Sequence, residues 1–206
     1  LVLNGCCGNI HHANHLDPTY DDSFHRMGRL LTEDTDGLLR RLQFMDDTHL
    51  GFASEHVSIP LRSTPPQALE AARQLRAQYP TPKWLDEAAR APDWDWVYAG
   101  SLLDLYDESR ENPHADYEVQ LLRVGNLAIV GFGGEPFVEL GLRVKLGSPT
   151  WPTYTVHMCN SCAGYVPTAA ALEHGGYETR TGQWSRLAPE ALDMIGDTAL
   201  AMLARE

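Results

Sequence analysis

Nowhere does the sequence reach the ~20 consecutive apolar residues of a membrane-spanning helix, so a transmembrane chain is not expected. A basic run is missing too: 16 Lys and Arg stand against 28 Asp and Glu, a formal net charge of -12 at pH 7. Nucleic-acid binding draws its affinity from cations clustered on phosphates, which argues against that partner. Cysteine is scarce. Cys6, Cys7, Cys159 and Cys162 are too few for a disulfide framework, and the neighbours Cys6 and Cys7 cannot readily bridge each other. Cys159 and Cys162 have C-x-x-C spacing, but no second pair accompanies them. Small residues ending a strand are the preferred reading there, over a redox or metal role. Leu1 to Gly8 lack the charged and apolar regions of a signal peptide. There is no internal repeat and no low-complexity linker.

What is present is ordinary globular material: 43% hydrophobic and 21% charged residues over 206 positions. A chain of that length can bury roughly 70% of its unfolded surface. Residues 1 to 4 read as the end of a buried strand running into a Gly5-Cys-Cys-Gly8 turn, so polypeptide is expected before Leu1. From Ser23 to about Phe44, apolar residues recur at helical spacing. His56 to Leu61 alternates as a half-buried strand does, with Pro60 marking an edge. Helices are expected from Thr64-Pro65-Pro66 to Pro80, over Pro82 to Ala91, and from Trp96 to about Glu108. Leu121 to Val124 and Leu127 to Phe132 flank Gly125-Asn126, a hairpin signal. A helix from Pro136 to Leu146, a strand over Tyr154 to Met158, a short helix over Thr168 to His174 and a helix from Pro189 to Arg205 complete the pattern. Strands alternating with helices indicate an α/β fold, a mixed β-sheet flanked by helices.

Three places invite chemistry. His11, His12 and His15 crowd the turn after the first strand, as ligands or as loop hydrogen-bonders. Gly133-Gly134-Glu135 puts a carboxylate where a buried strand meets a helix, so Glu135 is either a ligand at a strand end or a helix cap. Tyr165 and Tyr177 lie in small-residue turns, where packing with a satisfied hydroxyl is the commoner role.

Together, Asn4-Gly-Cys-Cys-Gly-Asn-Ile10, Val124-Gly-Asn-Leu-Ala-Ile-Val130, Gly134-Glu-Pro-Phe-Val-Glu-Leu-Gly141, Gly164-Tyr-Val-Pro-Thr168 and Gly175-Gly-Tyr-Glu178 resemble the neutral/alkaline non-lysosomal ceramidase family. The resemblance implies that residues 1–206 form the C-terminal portion of a larger zinc-hydrolase domain, with a helical insertion around 64–112 and no immunoglobulin-like C-terminal domain. It implies a Zn2+ ion held by Glu135 and Tyr165, with two histidine ligands supplied by the N-terminal half of that domain, upstream of Leu1. Tyr177 matches the family's second active-site tyrosine. In the run that aligns with the family's Gly-Asp-Val-Ser-Pro-Asn segment, Asn9 stands at the aspartate and His11 at the serine, with His12 beside it. His11 or His12 could move the proton there, as imidazole is suited to do. The activity implied is hydrolysis of a linear amide such as an N-acylsphingosine. The missing serine leaves open a related hydrolase with a different, lipid-like or small substrate, or a non-catalytic subunit of the same architecture. Cys159 and Cys162 align with positions that ligate nothing in the family.

Overall fold

The computed structural model describes residues 2–44, 46 and 49–205. Its centre is β4 (His114–Val124), in which Tyr117, Val119 and Leu121 are buried and the intervening side chains point the other way, the period of two that pleating imposes. β4 turns through Gly125-Asn126 into β5 (Leu127–Phe132), pairing Val124 with Leu127 and Val119 with Phe132. Gly125 has φ +54°, the positive value that two-residue hairpin turns demand.

On the other side of β4, β1 (Leu50–Pro60) pairs antiparallel from Leu50↔Val124 to Pro60↔His114. β7 (Thr153–Val156) pairs parallel with β5, so the order β1-β4-β5-β7 is a mixed sheet with β1 at an edge, where Pro60 predicts it. β1 is longer than its alternating stretch because its N-terminal half, with Phe52 exposed, turns apolar residues to the uncovered face.

One face of the sheet is covered by α4 (Val138–Gly147) and α6 (Ala191–Arg205). Leu140 and Val144 of α4, and Ile195, Ala199 and Leu203 of α6, fall at helical spacing and meet Ile59, Val119, Leu121, Val130 and Phe132; none of these is more than 1% exposed. Burying one such Val, Leu, Ile or Phe side chain contributes about 1.5–3 kcal/mol. Apolar burial at this layer therefore dominates local propensity.

α2 (Pro66–Gln78) and α3 (Trp94–Glu111) pack on each other through a smaller core of Leu69, Ala72, Ala99 and Leu102. The Arg76 guanidinium lies 3.7 Å from the centre of the Trp96 ring, and a Cβ on Gly100 would come within 2.5 Å of that guanidinium. The helix expected over Pro82 to Ala91 does not form. β2 (Trp84–Asp86) and β3 (Ala91–Pro92) make a small hairpin instead. The Asp86 carboxylate accepts the Ala89 amide at 3.0 Å and Arg90 adopts φ +53°, a local turn that competes with the helical bond pattern. α3 in turn starts before Trp96, because Asp93 caps it by accepting from the amides of Asp95 and Trp96.

Other boundaries shift for similar reasons. The strand expected over residues 1 to 4 is absent over Val2 to Asn4, while Leu1 lies outside the described residues. Asn4 contributes only a carbonyl that accepts the His157 amide at 3.0 Å. α1 (Phe24–Leu39) starts at the Ser23 cap but ends short of Phe44, and none of its residues is buried. Pro136 is not in a first helical turn: it belongs to β6 (Glu135–Pro136), and α4 begins after it. α5 (Ala169–His174) is capped by Thr168, whose hydroxyl accepts from the Ala171 amide, and closes at Gly175 with φ +80°.

Candidate metal centre

Past Phe132, at the end of β5, the chain crosses two glycines before Glu135. The buried Tyr117 hydroxyl donates to the Gly133 carbonyl at 2.7 Å. Gly134 has φ +72°, and a Cβ there would lie 2.3 Å from the Gly164 carbonyl oxygen. Gly164, at φ +75°, would press its own Cβ to 2.4 Å from the Trp184 carbonyl oxygen. The three backbones can lie this close only without side chains. Across that contact the Glu135 amide donates to Gly164 at 2.8 Å and the Phe137 amide to Val166 at 3.1 Å. The result is a short parallel ladder between β6 and β8 (Tyr165–Val166), in which Glu135 and Tyr165 are register partners. Partners in register project to the same side of a ladder.

The N-terminal motif closes the other edge of β6. The Gly8 amide donates to the Pro136 carbonyl at 3.0 Å, and a Cβ on Gly8 would meet the Glu135 carbonyl oxygen at 2.3 Å. Asn9 is committed to α4: its Oδ1 accepts the Val138 amide at 2.8 Å and its Nδ2 donates to Glu139 at 3.0 Å. Asn9 therefore supplies the cap of α4, and Glu135 does not.

Tyr177 packs edge-on against Tyr165, with ring centroids 5.7 Å apart and planes at 74°. Burial pushes the Tyr165 hydroxyl well above the ordinary tyrosine range; negative charge on Glu135, then Tyr177, pushes it further. Burial and then Glu135 also raise the Cys7 thiol. The Cys7 Sγ lies 3.7 Å from the His157 Nε2, and the His157 Nδ1 is buried with no hydrogen-bond partner. Three groups able to carry negative charge thus share one strand end. Among the described residues no Lys or Arg side chain pairs with Glu135.

The Tyr177 segment is held in place by Arg62, which is only 7% exposed. Its Nη1 donates to the Thr179 carbonyl at 2.7 Å, its Nη2 to the Ser185 hydroxyl at 3.1 Å and its Nε to the Leu187 carbonyl at 3.2 Å. Burial lowers its pKa to about 10, which leaves it charged at neutral pH. Backbone bonds from Arg62 to Arg186 and from Ala188 to Pro60 stitch the same segment to the end of β1. The Trp184 carbonyl within it accepts the Tyr165 amide at 2.7 Å, so this segment fixes both tyrosines.

Of the residues singled out from sequence, Glu135, Tyr165 and Tyr177 come together, and Asn9 lies against the same strand. In an exposed loop His11 stacks on His12, with centroids 4.4 Å apart, and lies tilted against His15 at 4.9 Å. Among the described residues no hydrogen bond or ring contact joins His11 or His12 to Glu135, Tyr165 or Tyr177. Cys159 and Cys162 are free thiols. Sequence reasoning misses Cys7, His157 and Arg62. Cys7 carries a signal, its place inside the glycine turn, whereas His157 and Arg62 look in sequence like ordinary strand-end residues.

The donors fit part of a zinc site. A carboxylate and a phenol are register partners, half-buried and with no Lys or Arg partner among the described residues, and zinc accepts oxygen donors. Among the described residues, no three His, Cys, Asp or Glu side chains converge on a point suited to a metal ion.

No family model and no curated protein sequence matches the chain. Among solved structures, neutral ceramidase from Pseudomonas aeruginosa matches over 98% of this chain and 37% of its own, with a TM-score of 0.53 and 13% identity. A ceramidase complexed with C2 matches over 44% of this chain and 15% of its own, with a TM-score of 0.37 and 21% identity, too loosely to bear on the fold. The chain thus spans 37% of the length of the neutral ceramidase it matches, and across nearly all of its own length it has that part of the ceramidase fold.

Proposed function

We propose that the protein is a zinc-dependent hydrolase of a linear acyl amide, with Glu135 and Tyr165 as two of the metal's ligands and two histidines from polypeptide preceding Leu1 as the others. The observation that carries this reading is the β6–β8 register, which sets the carboxylate beside the phenol at a strand end, where α/β folds place their ligands. Zinc bound by Glu135 and Tyr165 would supply Lewis acidity, the capacity to polarise an acyl carbonyl and to lower the pKa of water.

The chain's own groups account for the remaining features. Glu135 brings fixed negative charge with no competing Lys or Arg among the described residues. Tyr165 brings a phenol that burial and Glu135 keep protonated until a cation offsets both. Tyr177 is 58% exposed and packs edge-on against Tyr165, and its hydroxyl can donate to the oxygen of an incoming amide.

Metal analysis of the protein in its full natural length tests this. Zinc is expected in the unaltered protein, and Glu135→Gln and Tyr165→Phe should each lose metal and amide hydrolysis together. A zinc-free active protein would overturn the reading, as would Glu135→Gln with both properties intact.

One observation favours a substrate other than N-acylsphingosine. Asn9 is committed to capping α4, and His11 and His12 sit in an exposed stack, so among the described residues none of the three has a hydrogen bond or ring contact with the tyrosine pair. Comparing N-acylsphingosine with simple alkyl amides decides between the two substrate classes.

A further inference from the structure

We infer that the groove between α2 and α3 takes the linear alkyl chain of the substrate, an inference that rests on the hydrolase reading for the head group and on the groove itself for the chain. The groove encloses about 400 Å3, within the range of about 300–1,000 Å3 typical of small-molecule sites. Ala68, Ala71 and Ala72 line it at helical spacing along α2, so one helix face offers methyl groups where larger side chains would close the gap. Leu75 completes that wall, and Tyr98 and Leu102 of α3 form the facing one.

Its charged and hydroxyl-bearing residues are Asp95, Tyr98, Arg180 and Thr181. The Arg180 guanidinium lies 3.4 Å from the centre of the Tyr98 ring and pairs with Asp95 at 3.1 Å. Two connections lead from there to the tyrosine pair. The Arg180 amide donates to the Tyr177 carbonyl at 3.3 Å, so the polar residues are within one turn of the residue packed on Tyr165. The Tyr98 ring meets the Trp184 ring at 5.0 Å, and the Trp184 carbonyl accepts the Tyr165 amide. An apolar trough whose polar end is hydrogen-bonded to the Tyr177 backbone suits a single-chain amphiphile with its amide head toward the tyrosine pair.

Binding can be tested without catalysis, on the full-length protein stripped of metal by chelation. Titration with N-alkylacetamides from butyl to dodecyl should show affinity rising about three- to fourfold per CH2 buried, then levelling when the groove is full. Ala71→Trp, at an exposed position lining the groove, should flatten that series; Gln74→Trp, exposed on the same helix but outside the groove, should not. A flat series in the unaltered protein would overturn the inference. So would an unchanged series in Ala71→Trp, the result expected if preceding polypeptide fills the groove and the chain binds elsewhere. Chain-length-dependent binding by a protein that takes up no zinc would keep the groove and remove the hydrolase reading. Zinc-dependent hydrolysis indifferent to chain length would do the reverse.

Discussion

At Gly8 and Gly134 one methyl group would force apart the strands that carry Glu135, because each added Cβ would sit 2.3 Å from a carbonyl oxygen. Alanine at either position should cost at least about 1–3 kcal/mol in denaturant unfolding, the scale of one strained backbone residue, and should weaken metal retention with it. Gly28 in α1 has nothing within 4 Å of an added methyl, so Gly28→Ala should stabilise by about 0.4–1 kcal/mol in the same measurement. Glu118 gives a pH test. Bonds from Ser54, Asn160 and Gln120 hold its carboxyl down at about 2, below the ordinary 4.5. A lowered folded-state pKa favours folding above pH 4.5, and that contribution is lost as pH falls toward about 2. Acid denaturation of Glu118→Gln should therefore be flatter than that of the unaltered chain across this window. At this scale, Glu135 and Tyr165 are each ambiguous by themselves in the sequence. Their pairing arises from a long-range register that no local pattern encodes, and only the family resemblance points to it. The Cys7–His157 contact has no comparable signal, because it joins a turn to a strand end at opposite ends of the chain.

Whole elements are more legible where local chemistry and packing agree. The β4–β5 hairpin reads directly from two apolar runs around Gly125-Asn126, and α5 from its Thr168 cap and Gly175 stop. Residues 82–91 read as helical but are not, because the turn at Asp86 and Arg90 outweighs a pattern with little apolar surface to bury. α1 shows that periodicity alone does not report burial: its apolar positions recur at helical spacing, yet Phe24, Leu31, Leu38 and Leu39 are all exposed. Amide exchange in the 206-residue chain should therefore be fast along α1 and slowest in β4 and β5, where side chains are fully buried on the helix-covered face. Protection of α1 equal to that of β4 would contradict this packing. Arg62 couples elements. Arg62→Met removes charged hydrogen bonds worth about 1.5–3 kcal/mol each, offset in part by relief from burying the charge. The expected result is a net loss of stability, with faster proteolysis near Thr179 to Leu187 than elsewhere.

For the molecule as a whole, the α/β class and mixed sheet are legible because strands and helices alternate along the chain, and the likeness to neutral ceramidase extends over 98% of it. The proposed metal centre is legible only in part, since two of its proposed ligands lie in this chain and the histidines proposed to complete it do not. Among the described residues no helix is long and apolar enough to cross a membrane. The central claim is that Glu135 and Tyr165 hold one zinc ion on which amide hydrolysis depends. Metal content and hydrolysis, measured side by side on the full-length protein, on Glu135→Gln and on Tyr165→Phe, test it most directly. Zinc and activity present in the first and lost together in both variants is the predicted result; hydrolysis that persists in Glu135→Gln with its metal in place would contradict it.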